Sequence, residues 1–289
     1  MSTPGSVPAS TLAITGSTGV LGGLVSRELA ASGIPQRLLV RSPSRAPRLD
    51  GAIVVESAYD RSDATAEALR GVETLFMVSA AEDAQRLEQH RAFVDAAAAA
   101  GVKHVVYTSF FAAAPDATFT LARDHWATEQ HIIASGMAFT FLRDNFYLDF
   151  MPDLVGEDGV IRGPAGDGAV SVVAREDIAR VAAAVLRDPA AHAGATYDLT
   201  GPEALTMAEV ALILSEAEAS PSADIRFHNE TVPEAYESRA RWGAPDWQVE
   251  AWVSTYTAIG TGELAGVSDA VERITGRRGL TLAEFLAAR

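Results

Sequence analysis

Residues 11–23 read "TLAITGSTGVLGG", an apolar run followed directly by a glycine-rich turn. The run has the length of a buried strand, and apolar residues resume after the turn in a helical pattern. Three glycines, Gly16, Gly19 and Gly22, therefore stand where a strand ends and a helix begins. Glycine permits the backbone angles of a tight turn and lets a phosphate approach the chain without a Cβ in its way. This stretch predicts an α/β fold whose first strand leads into a dinucleotide-binding loop.

The same alternation of apolar runs and amphipathic segments continues to about residue 150 and is less regular after that. Strands are predicted at residues 11–15, 37–40, 52–55, 74–78, 104–109, 138–143 and 195–201, and helices at 23–32, 63–70, 83–100, 119–135, 175–188 and 206–217. Capping-box spacings, Thr206 with Glu209 and Thr281 with Glu284, mark two further helix starts. Apolar strands that alternate with helices are typical of a parallel sheet covered on both faces. We predict a Rossmann-type, doubly wound parallel sheet with a smaller, mostly helical C-terminal lobe.

The pattern of predicted strands and helices also suggests how the chain is divided into domains. Residues 11–150 are expected to form the NAD(P)-binding domain, to which 171–200 contribute a further helix and strand. Residues 151–170 and 201–289 are expected to form the smaller lobe on the substrate side. The Ser-, Pro- and Gly-containing residues 1–10 show no periodicity and are expected to be a loose tail.

Composition excludes several classes of function. The formal net charge of −15 argues against a nucleic-acid partner or an anionic membrane surface, because both select for basic patches. The chain contains no cysteine, which excludes disulfides, thiolate metal sites and cysteine nucleophiles and fits a reducing cytoplasm. We find neither a signal peptide nor an apolar stretch of membrane-spanning length, and the histidines have no metal-ligand spacing. A cytoplasmic, metal-free protein that acts on a small molecule is expected.

The end of the second predicted strand indicates which dinucleotide binds. An NAD site keeps Asp or Glu there for the ribose 2′-hydroxyl, whereas a 2′-phosphate requires cationic donors. In "LLVRSPSR" (38–45) this position is Arg41, with Arg45 nearby. A guanidinium donates two hydrogen bonds to a phosphate at once. The pattern favours NADP(H); the alternative is a solvated surface arginine.

The chain resembles the NmrA-like branch of the short-chain dehydrogenase/reductase superfamily, and within it the type 2 NAD(P)H:quinone oxidoreductases. The matching stretches include "ITGSTGVLG", "LLVRSPSRA", "AGVKHVVYTS", "LARDHWATE", "SGMAFTFLRDNFYLD" and "YDLTGPEALTMAEVA". They extend from about residue 12 to 215. The glycine motif is shared by the whole superfamily, whereas the block around "ARDHWATE" and "LRDNFY" is specific to this branch.

The resemblance implies a layout for the cofactor site. It assigns the phosphate loop to Gly16–Leu21 and the 2′-phosphate ligand to Arg41. Ser79 and Ala80, after the fourth strand, would pass under the riboses, and residues 143–147, after the sixth strand, would line the nicotinamide end. The predicted cofactor-binding residues are Gly16, Ser17, Thr18, Gly19, Val20, Leu21, Gly22, Arg41, Arg45, Ser79, Ala80, Ser109, Arg143, Asn145 and Phe146.

The catalytic pair of the classical short-chain reductases is missing. Those enzymes use a tyrosine followed four residues later by a lysine, and none of the six tyrosines here has that partner. Lys103, the only lysine, precedes a strand at the other end of the predicted sheet. Two hypotheses remain. One is hydride transfer from NADPH to a quinone or similar electrophile, which needs mainly orientation of the two reactants. The other is a non-catalytic, NADP(H)-sensing regulator of the NmrA type.

The predicted catalytic residues are His125, Asn145 and Tyr147, which would shape the acceptor site. His125 and Glu129 are one helical turn apart, so the alternative for His125 is a partly exposed structural pair. Aromatic side chains near the acceptor, among them Tyr147, fit either stacking on a quinone ring or ordinary core packing. Residues 230–247 fit either a wall of the acceptor cleft or the face of a homodimer.

Overall fold

The computed structural model describes residues 10–217 and 224–289. The strands are β1 (Leu12–Thr15), β2 (Gln36–Val40), β3 (Ala52–Glu56), β4 (Thr74–Met77), β5 (His104–Phe110), β6 (Ala138–Asp144), β7 (Val160–Gly163), β8 (Ala169–Val170), β9 (Ala195–Leu199), β10 (Leu205–Thr206) and β11 (Arg226–Asn229). The helices are α1 (Val20–Ala31), α2 (Asp63–Leu69), α3 (Arg86–Ala99), α4 (Thr120–Ala134), α5 (Arg175–Arg187), α6 (Met207–Ala217), α7 (Val232–Ala240), α8 (Asp246–Gly260), α9 (Ala270–Thr275) and α10 (Leu282–Ala287).

Seven of these strands form one sheet in the order β3-β2-β1-β4-β5-β6-β9. β1 lies between β2 and β4 and runs parallel to both, with Ala13 in register with Arg37 on one side and Leu75 on the other. The strand order reverses between β1 and β4, which is the topological switch point of a doubly wound sheet. The predicted Rossmann-type fold is confirmed. Ligands of such sheets bind beyond the carboxyl ends of the strands at this point.

The chain divides into two compact units. Unit 1 comprises the described part of residues 1–108 together with 128–141 and 179–196, and unit 2 comprises residues 109–127, 142–178 and the described part of 197–289. The sequence predicts one domain of residues 11–150 with 171–200 and a second of 151–170 with 201–289. The two compact units have other bounds, because the chain passes from one unit to the other within β5, α4, β6, α5 and β9.

Each unit has a core of its own. In unit 1, fully buried aromatic side chains pack with aliphatic ones from the central strands, including Leu75, Met77, Phe93, Tyr107 and Phe141. In unit 2, the core is mainly aliphatic and includes Leu148, Met151, Ile161, Val170, Val172, Val210 and Leu282. Two small sheets belong to unit 2, a parallel pair β7–β11 and an antiparallel pair β8–β10.

Helix boundaries agree with the sequence analysis to within a few residues, with one difference that matters for the site. α1 begins at Val20, three residues before the predicted start at residue 23, because the glycine turn closes as soon as the Gly19 N–H donates to the Gly16 carbonyl (2.9 Å). Gly22 therefore lies inside the first turn of the helix. The Thr281–Glu284 capping box is confirmed.

The expected loose tail lies outside the described residues except for Ser10, for which the expectation is wrong. Ser10 is buried, and its hydroxyl donates to the Pro35 carbonyl (2.8 Å). Within the described ranges, no helix combines the length and apolarity needed to cross a lipid bilayer.

Candidate functional site

The glycine loop after β1 has a shape that only glycine permits. Gly16 has a φ of +67°, and a Cβ there would lie 2.9 Å from the Cβ of Val78. At Gly22 a Cβ would lie 2.4 Å from the carbonyl of Gly16, so the first turn of α1 packs directly on the loop backbone. The two glycines thus meet different requirements, one of backbone angle and one of close packing.

The N-terminus of α1 is prepared for an anion. Gly19 caps the helix with an extended backbone, and the first turn contains no acidic side chain. The first backbone N–H groups of a helix lack intrahelical acceptors and carry the positive end of the helix dipole. Ser17 lies in the same loop; it is buried, and its Oγ makes no hydrogen bond within the described chain. An unpaired buried hydroxyl beside a helix N-terminus fits a pyrophosphate as its missing partner.

Two arginines follow β2, as the sequence predicted. Arg41 comes directly after the strand and Arg45 ends a short 3₁₀ turn, and both are exposed. Neither guanidinium forms an ion pair or a hydrogen bond with another described residue. Arg41 belongs to unit 1, which also contains β1 and the glycine loop. Both cations remain available to an anionic ligand.

A hydrogen-bonded cluster joins the ends of β1 and β4. The Tyr59 hydroxyl donates to the Val78 carbonyl and lies 2.7 Å from Thr15 Oγ1, which accepts a hydrogen bond from the Val78 N–H (2.9 Å). Burial raises the pKa of Tyr59 above its ordinary value, so this hydroxyl stays neutral. The cluster fixes the strand ends on either side of the switch point.

The Ser79–Ala80 segment after β4 is held by side chains that the sequence analysis did not select. The Ser79 N–H donates to Thr108 Oγ1 (2.8 Å), and the Ala80 N–H donates to His90 Nε2 (2.9 Å). Because Nε2 accepts, Nδ1 carries the proton and donates to Thr128 Oγ1 (2.9 Å). Burial, aided by the charge of Arg86, holds the pKa of His90 well below its ordinary value. His90 is therefore a neutral residue that positions this segment.

Asn145 is a predicted catalytic residue whose side-chain amide is hydrogen-bonded within the protein at both its nitrogen and its oxygen. Its side chain is buried, and its Nδ2 donates to Ser171 Oγ (2.8 Å) and to the Leu264 carbonyl (3.0 Å). Its Oδ1 accepts the Phe146 N–H (2.8 Å). Both amide N–H groups are thus used, and a substrate would have to displace one of these bonds. In this structure the side chain of Asn145 positions the residues around it, and its predicted contact with the acceptor stays a prediction.

Tyr147 is half-buried and held on two sides. Its backbone bridges Val173, since the Val173 N–H donates to the Phe146 carbonyl (3.0 Å) and the Leu148 N–H donates to the Val173 carbonyl (2.9 Å). The guanidinium carbon of Arg175 lies 5.7 Å from the centroid of the Tyr147 ring. The Tyr147 hydroxyl lies 3.2 Å from Asp144 Oδ2. The position of this hydroxyl is therefore well defined.

Asp144 lies within residues 143–147, which the resemblance assigns to the nicotinamide end, but no role of its own was predicted for it. It is 1% exposed, and its Oδ1 has no hydrogen-bond partner in the described chain. Burial raises the pKa of this carboxyl well above its ordinary value, while the Tyr147 hydroxyl acts in the opposite direction. A carboxyl of this kind favours its neutral form.

The remaining predicted site residues of this part of the chain, His125, Ser109, Arg143 and Phe146, all belong to unit 2. His125 belongs to unit 2 and is buried, with its ring 6.0 Å from that of Phe110. Glu129 is also buried, so the alternative of a partly exposed pair is wrong. Ser109 is buried near the end of β5, whereas Arg143 and Phe146 are half-buried.

Comparison with known proteins places this arrangement in a family. The chain is 34% identical over 280 residues to the NAD(P)H azoreductase of Xenophilus azovorans, with 95% of this chain and 96% of that protein aligned. It is 33% identical to quinone oxidoreductase 2 of Escherichia coli over 96% of this chain and 97% of the relative. The crystal structure of that enzyme with NADPH superposes with a TM-score of 0.86, at 32% identity and over 96% of this chain and 99% of the other.

The triphenylmethane reductase of Citrobacter sp., solved as a complex with NADP(H), gives a TM-score of 0.83 at 31% identity, covering 97% of this chain and all of the other (100%). Residues 8–237 match the sequence profile of the NmrA-like family. The profile match spans most of the chain, and the relatives are aligned over nearly their whole length. The chain belongs to the NmrA-like family.

Proposed function

We propose that the protein is an NADPH-dependent reductase that transfers hydride to a quinone or a similar electrophile. The observation that carries the proposal is the unpaired Arg41 guanidinium directly after β2, in the unit that also carries a loop only glycines can form. Relatives more than 30% identical over nearly the whole chain are named as NAD(P)H-dependent azo and quinone reductases. A glycine loop followed by a cation at this position suits NADPH better than NADH.

In this proposal each group of predicted residues has its own part of the cofactor. The turn from Gly16 to Gly22 and the Ser17 hydroxyl bind the pyrophosphate, and Arg41 with Arg45 binds the 2′-phosphate. Ser79 and Ala80 support the riboses, with His90 holding their backbone. Residues Ser109, Arg143, Phe146 and Tyr147 lie toward the nicotinamide and the acceptor, as the family resemblance implies. Bound NADPH supplies the hydride.

The missing catalytic pair indicates which class of acceptor is reduced. Without a Tyr-x-x-x-Lys pair, the chain lacks the proton donor with which classical short-chain reductases act on simple alcohols and ketones. A quinone is electron-poor and yields a stabilised hydroquinone anion, so orientation of the reactants supplies most of the rate enhancement. The names of the relatives, which mention azo compounds, quinones and triphenylmethane dyes, support an electron-poor acceptor.

The setting of the reaction is proposed from composition. The absence of cysteine supports a reducing cytoplasm, and the net charge of −15 argues against nucleic acid as a partner. A homodimer remains a prediction.

The test is steady-state NADPH oxidation by the purified protein with a panel of simple quinones. NADH and a protein-free mixture serve as controls. Protein-dependent turnover that prefers NADPH supports the reductase. Saturable NADPH binding without turnover above the protein-free rate would support the NADP(H)-sensing regulator instead.

A further inference from the structure

We propose that Asp144 and Tyr147 form a proton-donating pair for the reduced acceptor, an inference that rests on the proposed reductase function. The two side chains share a hydrogen bond of 3.2 Å at the end of β6. Asp144 is buried, and its second oxygen has no protein partner in the described chain. This pair would take the role that tyrosine and lysine have in the classical short-chain reductases.

The surroundings of Asp144 favour a neutral carboxyl. Removing a carboxylate from water is costly unless cations or several hydrogen bonds compensate for the loss. Tyr147 is the one side chain of the described chain that donates to Asp144. The guanidinium carbon of Arg175 lies 5.7 Å from the centroid of the Tyr147 ring, and Arg175 is paired with Asp149, with 3.0 Å between its Nε and the Asp149 Oδ1. The proton that burial retains on Asp144 is therefore available for transfer.

The proton on Asp144 can be transferred through the side chain of Tyr147, to which Asp144 is hydrogen-bonded. In the structure the Tyr147 O–H donates to Asp144 Oδ2. When Asp144 is neutral with its proton on Oδ2, this hydrogen bond reverses: Asp144 donates to the Tyr147 oxygen, and the Tyr147 O–H turns away from Asp144. Tyr147 is half-buried, whereas Asp144 is 1% exposed. The backbone bridge to Val173 and the packing under Arg175 hold the Tyr147 hydroxyl in place. Proton transfer is efficient when the donor is fixed in this way.

The proposed step balances in atoms and charge. Hydride addition leaves a hydroquinone monoanion with one unprotonated oxygen. The Tyr147 O–H bond breaks as a new O–H bond forms on that oxygen, and the proton of Asp144 passes to the Tyr147 oxygen. Asp144 is left as a carboxylate. After the product leaves, a proton from water returns to Asp144 through Tyr147, so that each turnover consumes one hydride from NADPH and one proton from solvent.

The test measures how the rate depends on the basicity of the product anion. Wild type, Asp144→Asn and Tyr147→Phe are compared by kcat/KM for NADPH-dependent reduction of quinones whose hydroquinone monoanions span a range of basicity. Both variants should lose about 10- to 100-fold with the most basic product anion, which most needs an acid, and less than about threefold with the least basic. The double variant should be no slower than the slower single variant, because both changes interrupt one relay.

Matched controls make the same chemical changes elsewhere in unit 2. Asp153→Asn alters an exposed carboxyl and Tyr197→Phe a half-buried phenol on β9, and both should match wild type with every quinone. The Kd for NADPH should be the same in all variants, since the pair acts on the acceptor. If Asp144→Asn fails to fold, Tyr147→Phe alone decides the result.

The outcomes separate this inference from the function on which it rests. A uniform loss across the quinones, or no loss, while wild type turns over NADPH, would overturn the proton-donating pair and leave the reductase intact. An inactive wild type would overturn both.

Discussion

Replacing Arg41 with alanine should convert a preference for NADPH into near indifference between the two nicotinamide cofactors. The guanidinium follows β2, is exposed and forms no ion pair or hydrogen bond within the described chain, so its removal breaks none. A hydrogen bond to a charged group contributes about 1.5–3 kcal/mol, and solvent competition at an exposed site favours the lower end. A loss of about 1.5–2 kcal/mol weakens NADPH binding by about ten- to thirtyfold.

The assay is equilibrium binding of NADPH and NADH at one fixed ionic strength, since salt screens exposed charges. NADH, which lacks the 2′-phosphate, should bind wild type and the variant equally well. Arg70→Ala is the matched control, because Arg70 is an exposed arginine whose guanidinium lies 2.6 Å from the carboxylate of Glu67. Equal losses for NADPH and NADH in Arg41→Ala would refute the assignment of Arg41 to the 2′-phosphate.

Three further predictions concern residues that shape the site. Gly22→Ala should abolish measurable NADPH binding and lower the free energy of unfolding by at least about 1–3 kcal/mol. The reason is that the new Cβ would lie 2.4 Å from the backbone of Gly16. Unaltered NADPH binding would contradict this packing argument. The pKa of His90 is lowered in the folded state, so below pH 6.5 the unfolded state binds more protons than the folded state. The free energy of unfolding should therefore fall on acidification by up to about 1.4 kcal/mol per pH unit. Urea midpoints of wild type and of His90→Gln, which should lack this contribution, test the prediction. Asn145→Leu should lower the free energy of unfolding by about 2–4 kcal/mol, because it leaves buried backbone groups unpaired. Its kcat, measured well below the melting temperature, should stay close to that of wild type. A loss of kcat in a stable variant would support the catalytic role instead.

The fold was predictable because its signals are local. Apolar runs, their alternation with helical patterns and the glycine turn at Gly16 are readable in short windows of sequence, as is the capping box at Thr281. The position of Arg41 follows from the same logic, since it depends on where one strand ends. The start of α1 was displaced by three residues because the glycines satisfy the turn geometry earlier than the apolar pattern suggests.

The buried polar residues were not predictable because their partners are distant along the chain. The Asn145 side chain bonds to Ser171 and Leu264, which are 26 and 119 residues away. His90 stands on an alanine-rich helix and bonds to Thr128, 38 residues later. Asp144 resembles any carboxylate at the end of a strand until its burial is known. Composition and spacing carry no information about such contacts, which arise only when the chain folds.

The most direct test of the reductase is the stoichiometry of a single anaerobic reaction. Purified protein, NADPH and a simple quinone are mixed, and the NADPH consumed is compared with the hydroquinone formed. We expect one hydroquinone for each NADPH consumed, formed at a rate proportional to protein concentration and well above the rate with NADH. Saturable NADPH binding with no hydroquinone beyond the protein-free control would contradict it.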